Sequence, residues 1–267
     1  MISLIIPTLG TRSVELNRLF ESIKAQTNQN YELIIVSQDN HQTVADIILN
    51  HNLTSQSKHI KLNRKGISYS RNEGLKEVTG SVVTFSDDDC WYPADAFENV
   101  LTHFKKNEEI LCFQIYDPNA NEYYKGNYEQ SSKQIIKMKD LYRRSSIEIF
   151  LNLNQMKKND LVFDERFGVG STFPSGEENV FLTDLFKKGY RVSYIPQVVV
   201  YHRKKDYQTN KFTVREMEAK GALFKRIYNT PKAVILVLAF IALKRSLIEK
   251  PVPSLGKALK QALLFRP

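Results

Sequence analysis

Three consecutive aspartates, Asp87, Asp88 and Asp89, point most directly to chemistry in this sequence. Like charges held this close disfavour joint ionisation unless a cation lies between them. Carboxylate oxygens suit Mg²⁺ or Mn²⁺, and such an ion can bridge the phosphates of a substrate. The sequence therefore predicts a divalent-cation site here, with an acidic turn that caps the helix after Pro93 as the alternative.

The elements that position these aspartates follow from the hydrophobic pattern of the first hundred residues. Short apolar runs at 2–6, 31–36 and 81–86 alternate with helical patterns, which predicts βαβ units and a parallel sheet. The third run leads directly into the sequence DDDCWYP, so the aspartates follow the carboxyl end of a strand. Open α/β sheets bind their ligands at that edge.

The remaining pattern completes an α/β chain. Later strands are predicted at 110–116, 147–153, 190–195 and 198–201, and a helix at 179–188. Polar residues 118–132 suggest an inserted surface loop, and residues 163–179 form a second long loop.

Composition agrees with a folded chain in a reducing compartment. The chain has 267 residues, of which 42% are hydrophobic and 25% charged, and it lacks low-complexity runs. These values exclude disorder, collagen-like repeats and coiled coil. The cysteines, Cys90 and Cys112, are too few for a disulfide framework and lack the spacing of a zinc site, which favours the cytoplasm. No histidine lies near Cys90 in the sequence to activate it, so we expect it to pack in the core.

The net charge of +9 is concentrated at the end of the chain. Residues 201–267 contain 15 Lys and Arg against four Asp and Glu, and segments 232–245 and 253–267 predict helices with basic flanks. The apolar run is too short to span a bilayer. It fits an interfacial helix on anionic lipid, with packing against the rest of the protein as the alternative. No nucleic-acid-binding motif accompanies the charge, so we expect no nucleic-acid partner.

Taken in order, several motifs resemble the family 2 glycosyltransferases of GT-A fold. They are IIPT at 5–8, Asp39, SRNEG at 70–74, DDDCWYP at 87–93, FDERFG at 163–168, GEEN at 176–179 and His202. The resemblance covers about residues 1–203. It implies an α/β GT-A fold, Rossmann-like, with a mixed, mainly parallel central sheet flanked by helices, followed here by a basic helical tail. We therefore predict a GT-A domain over residues 1–205 and a tail over 206–267.

The resemblance assigns the strand-end aspartates to the family's DxD motif. Asp87 would face the nucleoside and ribose, Asp89 would hold the metal on the sugar diphosphate, and Asp88 is the residue between them. His202 matches a late histidine that clamps the diphosphate or completes the metal site, although a lone histidine also fits a structural role. Trp91 fits either a platform for sugar stacking or core packing.

Other positions would bind the nucleotide by the same resemblance. Pro7 and Thr8 match the end of the first strand that cradles the nucleotide, and Asp39 matches the residue that recognises the base. Arg71 would lie over the phosphates. The segment SQDN at 37–40 departs from the commoner double-aspartate turn, so the identity of the base stays open.

An inverting transfer needs a general base that takes the proton of the acceptor hydroxyl, and the family's late acidic pair supplies it. Aligned on that pair, Glu178 takes the base position and Glu177 the supporting one. Here Glu-Glu replaces the usual Glu-Asp pair, so Glu177 also remains a candidate base. Ser175 and Glu178 also match an S-x-x-E capping box, which leaves a purely structural role open.

These features predict a metal-dependent inverting glycosyltransferase that uses Mn²⁺ or Mg²⁺. It would transfer a sugar from a nucleotide-diphosphate sugar to a glycan acceptor in surface polysaccharide biosynthesis. The tail favours a lipid-linked acceptor and a peripheral position on the cytoplasmic face of the membrane. A non-catalytic nucleotide-sugar-binding subunit or scaffold is the main alternative, which the Glu-Glu departure supports. A nucleotidyltransferase fits poorly, because PTLGTR lacks a glycine-rich, basic phosphate loop.

Overall fold

The computed structural model describes residues 1–104, 107–126, 128–204 and 211–267. These residues divide into two compact units. The first comprises Met1–Lys65, Tyr69–Val162 and Asp184–Lys204, and the second comprises Gly66–Ser68, Phe163–Thr183 and the described tail from residue 211. The predicted domain boundary at residues 205 and 206 lies outside the described residues.

The first unit is built on one mixed sheet, to which the described residues contribute nine strands. They are β1 (Ile2–Thr8), β2 (Tyr31–Ser37), β3 (Ser57–Lys61), β4 (Val82–Phe85), β5 (Ile110–Asp117), β6 (Glu122–Tyr123), β7 (Lys133–Ile135), β8 (Ile149–Asn152) and β9 (Val192–Tyr201). Their order is β3-β2-β1-β4-β8-β5-β9-β7, and β6 pairs with β5.

Strand directions agree with the prediction of a mainly parallel sheet. The first four strands pair in parallel, β8 is antiparallel to both β4 and β5, and β9 is parallel to β5. Strands β1 to β5 and β9 therefore run in one direction. Strand β4, which leads into the aspartates, pairs directly with β1.

Nine α-helices are found among the described residues. They are α1 (Ser13–Lys24), α2 (His41–Asn50), α3 (Ile67–Lys76), α4 (Ala96–His103), α5 (Met138–Leu141), α6 (Glu177–Lys187), α7 (Val214–Ile227), α8 (Thr230–Lys244) and α9 (Pro251–Leu264). Helix α1 shows why they pack on the sheet: Leu16, Leu19, Phe20 and Ile23 recur at helical spacing and are at most 1% exposed. They join the core with residues of β1, β2, α2 and α4.

The end of the sheet differs from the prediction in one respect. The two short strands predicted at 190–195 and 198–201 are a single strand, β9. Its register against β5 shifts between Cys112 and Gln114 and again before Ile115. Such bulges insert extra residues without ending a strand. Pro196 and Gln197 lie in this irregular part, so they interrupt the apolar pattern but do not end β9.

The polar stretch predicted as a surface loop is partly packed into the first unit. It contains β6, and Tyr128 is only 8% exposed. The Tyr128 hydroxyl accepts from the backbone N–H of Ile115 and donates to Glu148, at 3.1 and 2.8 Å. A tyrosine buries its ring when its hydroxyl finds polar partners, and sequence composition alone does not reveal such partners.

The tail in the second unit is helical, as predicted. Helices α7 and α9 pass closely at Gly221, where a Cβ atom would clash with the carbonyl oxygen of Ala258. Small residues also form the contact between α8 and α9, namely Ala233, Val237, Ala258 and Ala262. Within the described part of the chain, every helix is too short or too polar to cross a bilayer.

Candidate functional site

The aspartate turn is attached to the neighbouring strand through Asp88. Thr8, the last residue of β1, donates a hydrogen bond of 2.6 Å from Oγ1 to Asp88 Oδ2 and accepts one of 2.9 Å from the Gly10 N–H. Burial raises the pKa of Asp88, and the Thr8 hydrogen bond and the charge of Arg12 only partly oppose that. Asp88 is 9% exposed, and both of its carboxylate oxygens already have partners, Thr8 and Arg12. It therefore holds the turn in place.

Asp87 is held by a buried arginine. Arg71 Nη2 lies 3.2 Å from Asp87 Oδ1 and donates a hydrogen bond of 2.8 Å to Ser146 Oγ. The Arg71 side chain is 1% exposed, whereas that of Asp87 is 35% exposed. The buried guanidinium therefore orients a carboxylate that still reaches the surface. Nothing in the sequence connects Ser146 with Arg71, so this partner is found only in the structure.

Asp89 and His202 face each other at the end of β9. His202 Nε2 lies 3.2 Å from Asp89 Oδ1, and Nδ1 lies 2.6 Å from the backbone oxygen of Arg203. A carbonyl oxygen only accepts, so Nδ1 carries the hydrogen and, in the neutral ring, Nε2 carries a lone pair. Two acceptor atoms at this distance require a proton or a cation between them.

The pKa values of this pair follow from the same contact. Burial alone would lower the pKa of His202, but its hydrogen bond with Asp89 and the charge of Asp89 outweigh burial and raise it. Burial would raise the pKa of Asp89, but the hydrogen bond and charge of His202, followed by the charge of Arg12, lower it. Asp89 is therefore a stable carboxylate.

These side chains fit a divalent cation. One ligand atom each from Asp87, Asp89, Cys90 and His202 lies within 4.8 Å of the others. Carboxylate oxygens and an imidazole nitrogen suit Mn²⁺, and the carboxylates suit Mg²⁺. Cys90 does not suit a hard ion, because it is fully buried and burial raises the pKa of its thiol well above the usual value. The fit therefore depends on the two carboxylates and the histidine.

Two arginines outside the predicted set of site residues, Arg12 and Arg18, also surround Asp89. Arg12 Nη1 lies 2.5 Å from Asp89 Oδ2 and 3.3 Å from Asp88 Oδ1. Arg18 Nη2 donates a hydrogen bond of 2.7 Å to the backbone oxygen of Asp89, and its guanidinium stacks 3.7 Å from the centre of the Trp91 ring. Arg12 lies in the loop after β1 and Arg18 lies on α1. This closeness to the end of the first predicted strand is the sequence feature that could have identified them as site residues. Because Arg18 covers one face of Trp91, only the opposite face could stack on a sugar.

The other predicted nucleotide residues lie along the same edge of the sheet. Pro7 and Thr8 end β1 and pair in register with Val36 and Ser37 of β2. Asp39 follows β2 and contacts Lys65 Nζ at 2.7 Å, a hydrogen bond that lowers the pKa of its carboxyl group. Because β1 lies between β2 and β4, these residues and the aspartate turn share the carboxyl edge of neighbouring strands.

The acidic pair begins α6 in the second unit. Helix α6 starts at Glu177, and the Gly176 carbonyl accepts from the N–H of Val180 at 3.0 Å. The N-cap position is thus Gly176, with φ +99°, so Ser175 lies one residue too early for the S-x-x-E capping box. Carboxylates in the first turn interact favourably with the helix dipole.

The two glutamates differ in their surroundings. Glu177 is 8% exposed, and a Cβ atom at Gly168 would lie 3.2 Å from its carboxyl carbon. The same atom would lie 3.1 Å from Ser68 Oγ, which donates a hydrogen bond of 2.6 Å to the Phe167 oxygen. Glu177 is therefore packed against the loop, whereas Glu178 is partly exposed.

A lysine of the tail approaches this acidic pair. Leu223 of α7 packs on Gly176, where a Cβ atom would lie 3.1 Å from its methyl carbons. Lys220 lies three residues earlier and so shares that face of the helix. Burial lowers the pKa of Lys220, and the charges of Glu178, Glu216 and Glu177 oppose that. In the sequence Lys220 is one of many basic residues of the tail, and no local pattern places it near Glu177 and Glu178.

Comparison with known proteins identifies a family. The sequence model of the protein family described as "Glycosyl transferase family 2" matches residues 3–167. The O-antigen chain rhamnosyltransferase WbaN of Salmonella anatum is 24% identical over 75% of this chain and 65% of its own length. A GalNAc(5)-diNAcBac-PP-undecaprenol β-1,3-glucosyltransferase of Campylobacter jejuni is 27% identical over 70% of this chain and 60% of its own length. This chain therefore matches slightly less than two thirds of the length of these relatives.

Solved structures share the same architecture. The crystal structure of S. aureus TarS in complex with UDP-GlcNAc has a TM-score of 0.72 at 16% identity and covers 98% of this chain and 81% of its own. A mannosyltransferase of Pyrobaculum calidifontis in complex with GDP-Man and Mn²⁺ has a TM-score of 0.60 at 14% identity, covering 98% and 74%. At these identities the similarity shows the fold alone, and it confirms the predicted α/β fold with a central sheet flanked by helices.

Proposed function

Because the chain belongs to glycosyl transferase family 2 and has the GT-A fold, we propose that it is a metal-dependent, inverting enzyme that uses a nucleotide-diphosphate sugar. The contact between Asp89 and His202 carries this proposal. A carboxylate oxygen and an imidazole nitrogen 3.2 Å apart form a site for a positive charge at the carboxyl edge of the sheet. A cation bound there would stabilise the negative charge of a departing diphosphate.

The residues of the first unit divide the work of donor binding. Asp89 and His202 are proposed to hold the cation, Asp87 to face the nucleoside and ribose, and Asp88 to keep the turn in place. Pro7, Thr8 and Asp39 are proposed to contact the nucleotide. Arg71 is proposed to supply positive charge near the phosphates, and its contact with Asp87 gives that charge a defined orientation.

We assign the general base to Glu178 and a supporting role to Glu177. A general base must be accessible to the acceptor hydroxyl whose proton it takes. Glu178 is partly exposed, whereas Glu177 is packed against Gly168. The family pattern places the base at the second position of the pair, so exposure and pattern support the same residue. The acceptor oxygen would then attack the anomeric carbon while the diphosphate leaves, with inversion at that carbon.

The acceptor is proposed to be a glycan, linked to a lipid, in surface polysaccharide biosynthesis. The names of two relatives support this proposal. One is an O-antigen chain rhamnosyltransferase, and the other is named as a glucosyltransferase for an undecaprenol-linked saccharide. The tail gives independent support. Helix α8 leaves Ile235 and Leu238 63% and 47% exposed on one face, and Leu243 is 81% exposed. The cations at and just after the end of this helix are also exposed, namely Lys244, Arg245 and Lys250.

An exposed apolar stripe with adjacent cations is typical of a helix that lies in the headgroup region of an anionic membrane. We therefore propose peripheral attachment through α8 at the cytoplasmic face of the membrane, where nucleotide sugars and lipid-linked acceptors would both be accessible.

Ligand-induced stabilisation tests the donor site without an acceptor. A ligand that binds only the folded state raises the melting temperature. We expect one nucleoside diphosphate among UDP, GDP, ADP and dTDP to stabilise the protein only when Mn²⁺ is present. Asp89→Ala should abolish that shift, and Asp46→Ala, which removes an exposed carboxylate of α2 bonded to Gln42, should retain it. A shift that persists in Asp89→Ala, or none with any nucleotide, would contradict the proposed donor site.

A further inference from the structure

Arg12 is held at the aspartate turn by charge and not by packing. It directly precedes α1, and its side chain is 53% exposed. The guanidinium contacts Asp89 Oδ2 at 2.5 Å and Asp88 Oδ1 at 3.3 Å. Burial would lower the pKa of Arg12, but the charges of Asp89 and Asp88 raise it. An exposed side chain with such contacts can leave them at little cost, because exposed ion pairs are weak.

Two other arginines near the turn, Arg71 and Arg18, lack that freedom. Arg71 is 1% exposed and bonded to Ser146. Arg18 is stacked on Trp91 and contacts the backbone oxygen of Asp89, leaving the carboxylate to other partners. Arg12 is therefore the arginine among these three that contacts the Asp89 carboxylate and can reorient.

Both carboxylate oxygens of Asp89 have a positively charged or proton-bearing neighbour. Oδ1 faces His202 Nε2 at 3.2 Å and Oδ2 faces Arg12 Nη1. A divalent cation that takes Asp89 as a ligand would lie within a few ångströms of the guanidinium, and like charges at that distance repel. Arg12 thus competes with a cation for Asp89.

A diphosphate removes this competition, because it offers Arg12 a second anionic partner. Guanidinium groups bind phosphate oxygens through two parallel hydrogen bonds, which a flexible, exposed arginine can form after it reorients. We propose that Arg12 couples cation binding to donor binding: it holds Asp89 until a diphosphate engages it, so that the cation and the nucleoside diphosphate bind cooperatively. This inference rests on the proposed donor site.

The coupling predicts opposite effects of one substitution on two affinities. Without Arg12, Mn²⁺ alone should bind about two- to fivefold more tightly, since an exposed ion pair no longer opposes it. The nucleoside diphosphate, measured at saturating Mn²⁺, should bind more weakly, because one phosphate contact is lost. By linkage, each ligand improves the affinity of the other by the same factor, and we expect that factor to be smaller without Arg12.

The experiment is a titration of the full chain with Mn²⁺, followed by the electron paramagnetic resonance signal of the free ion. It compares wild type, Arg12→Ala and Arg12→Lys, with and without the nucleoside diphosphate that gives the largest thermal shift, or UDP if none does. Arg191→Ala is the matched control, because Arg191 is 55% exposed and paired with Glu109 at 3.3 Å. Arg12→Lys retains the charge without the bidentate fork, so it should give intermediate values.

Each outcome has a defined meaning. Tighter Mn²⁺ binding and weaker nucleotide binding in Arg12→Ala, with Arg191→Ala like wild type, would support the coupling. If all proteins bind Mn²⁺ and nucleotide equally well, Arg12 has no coupling role and the proposed donor site stands. If neither wild type nor any variant binds Mn²⁺, both the coupling and the metal dependence of the proposed function are wrong.

Discussion

The hydroxyl of Thr8 donates a hydrogen bond of 2.6 Å to Oδ2 of Asp88 and thereby joins the end of β1 to the turn after β4. Thr8→Val keeps the shape of the side chain but leaves the carboxyl group of Asp88 and the Gly10 N–H without this partner. Burying an unsatisfied polar group costs about 1–3 kcal/mol. We expect the free energy of unfolding, measured in urea, to fall by about that amount. Thr102→Val on the exposed face of α4 is the control, and equal losses in both variants would contradict this role of Thr8.

His59 gives the protein a pH-dependent stability. Its Nε2 lies 2.7 Å from Ser37 Oγ in a setting where burial, followed by the charges of Lys61 and His41, lowers its pKa to about 4. Between pH ~4 and ~6.5 the unfolded chain binds a proton that folded His59 does not, so its contribution to stability is present above pH ~6.5 and is lost as pH falls to ~4.

His59→Gln should flatten the increase in unfolding free energy between these pH values, as measured by chemical denaturation at several pH values. His103→Gln serves as the control, since that histidine is bonded to Gln197 on another part of the sheet. An unchanged slope in His59→Gln would show that other groups produce the pH dependence.

The two glutamates of α6 should respond differently to the same substitution. Glu178→Gln removes the proposed base, so kcat should fall about 10²- to 10⁴-fold while nucleotide binding stays near that of wild type. Glu177→Gln alters a packed side chain, so it should lower the melting temperature and reduce kcat less. Release of the nucleoside diphosphate during turnover measures both rates. If Glu177→Gln has the larger effect on kcat with an unchanged melting temperature, the base is Glu177.

Lys220 should affect the pH dependence of catalysis through Glu178, the carboxylate whose charge acts most strongly on it. Removing its positive charge in Lys220→Met makes ionisation of a nearby carboxylate less favourable. The acidic limb of the kcat/KM profile should therefore move to higher pH, and Lys220→Arg should restore its position. A lower kcat without any shift of the limb would assign Lys220 to structure only.

Attachment to the membrane can be tested with vesicles. Flotation of the full chain with vesicles of phosphatidylglycerol and phosphatidylcholine should exceed flotation with phosphatidylcholine alone and should decrease at high salt. Changing Ile235 and Leu238 together to Asp should abolish it. Val162→Asp, at a residue 56% exposed in the first unit, is the control, and equal flotation of both variants would argue against α8 as the contact.

Local patterns were sufficient to predict most elements of this protein. Alternating strand and helix patterns identified the parallel strands β1, β2 and β4, since each buried element repeats apolar residues with its own period. The position of the aspartates after β4 and of His202 after β9 followed from counting along the chain. The apolar run with basic flanks likewise predicted α8. These features depend on residues close together in the sequence, so the sequence contains them directly.

The partners of the site residues depend on tertiary structure. Thr8 and Asp88 are 80 positions apart, Arg12 and Asp89 are 77 apart, and Arg71 and Ser146 are 75 apart. Which of these groups meet depends on strand order and on the direction in which each side chain leaves its element, and a one-dimensional pattern specifies neither. The same reason explains why Glu177 and Glu178, adjacent in the chain, differ in exposure: consecutive residues of a helix point about 100° apart, so the packing of the loop around Gly168 buries one of them and leaves the other accessible.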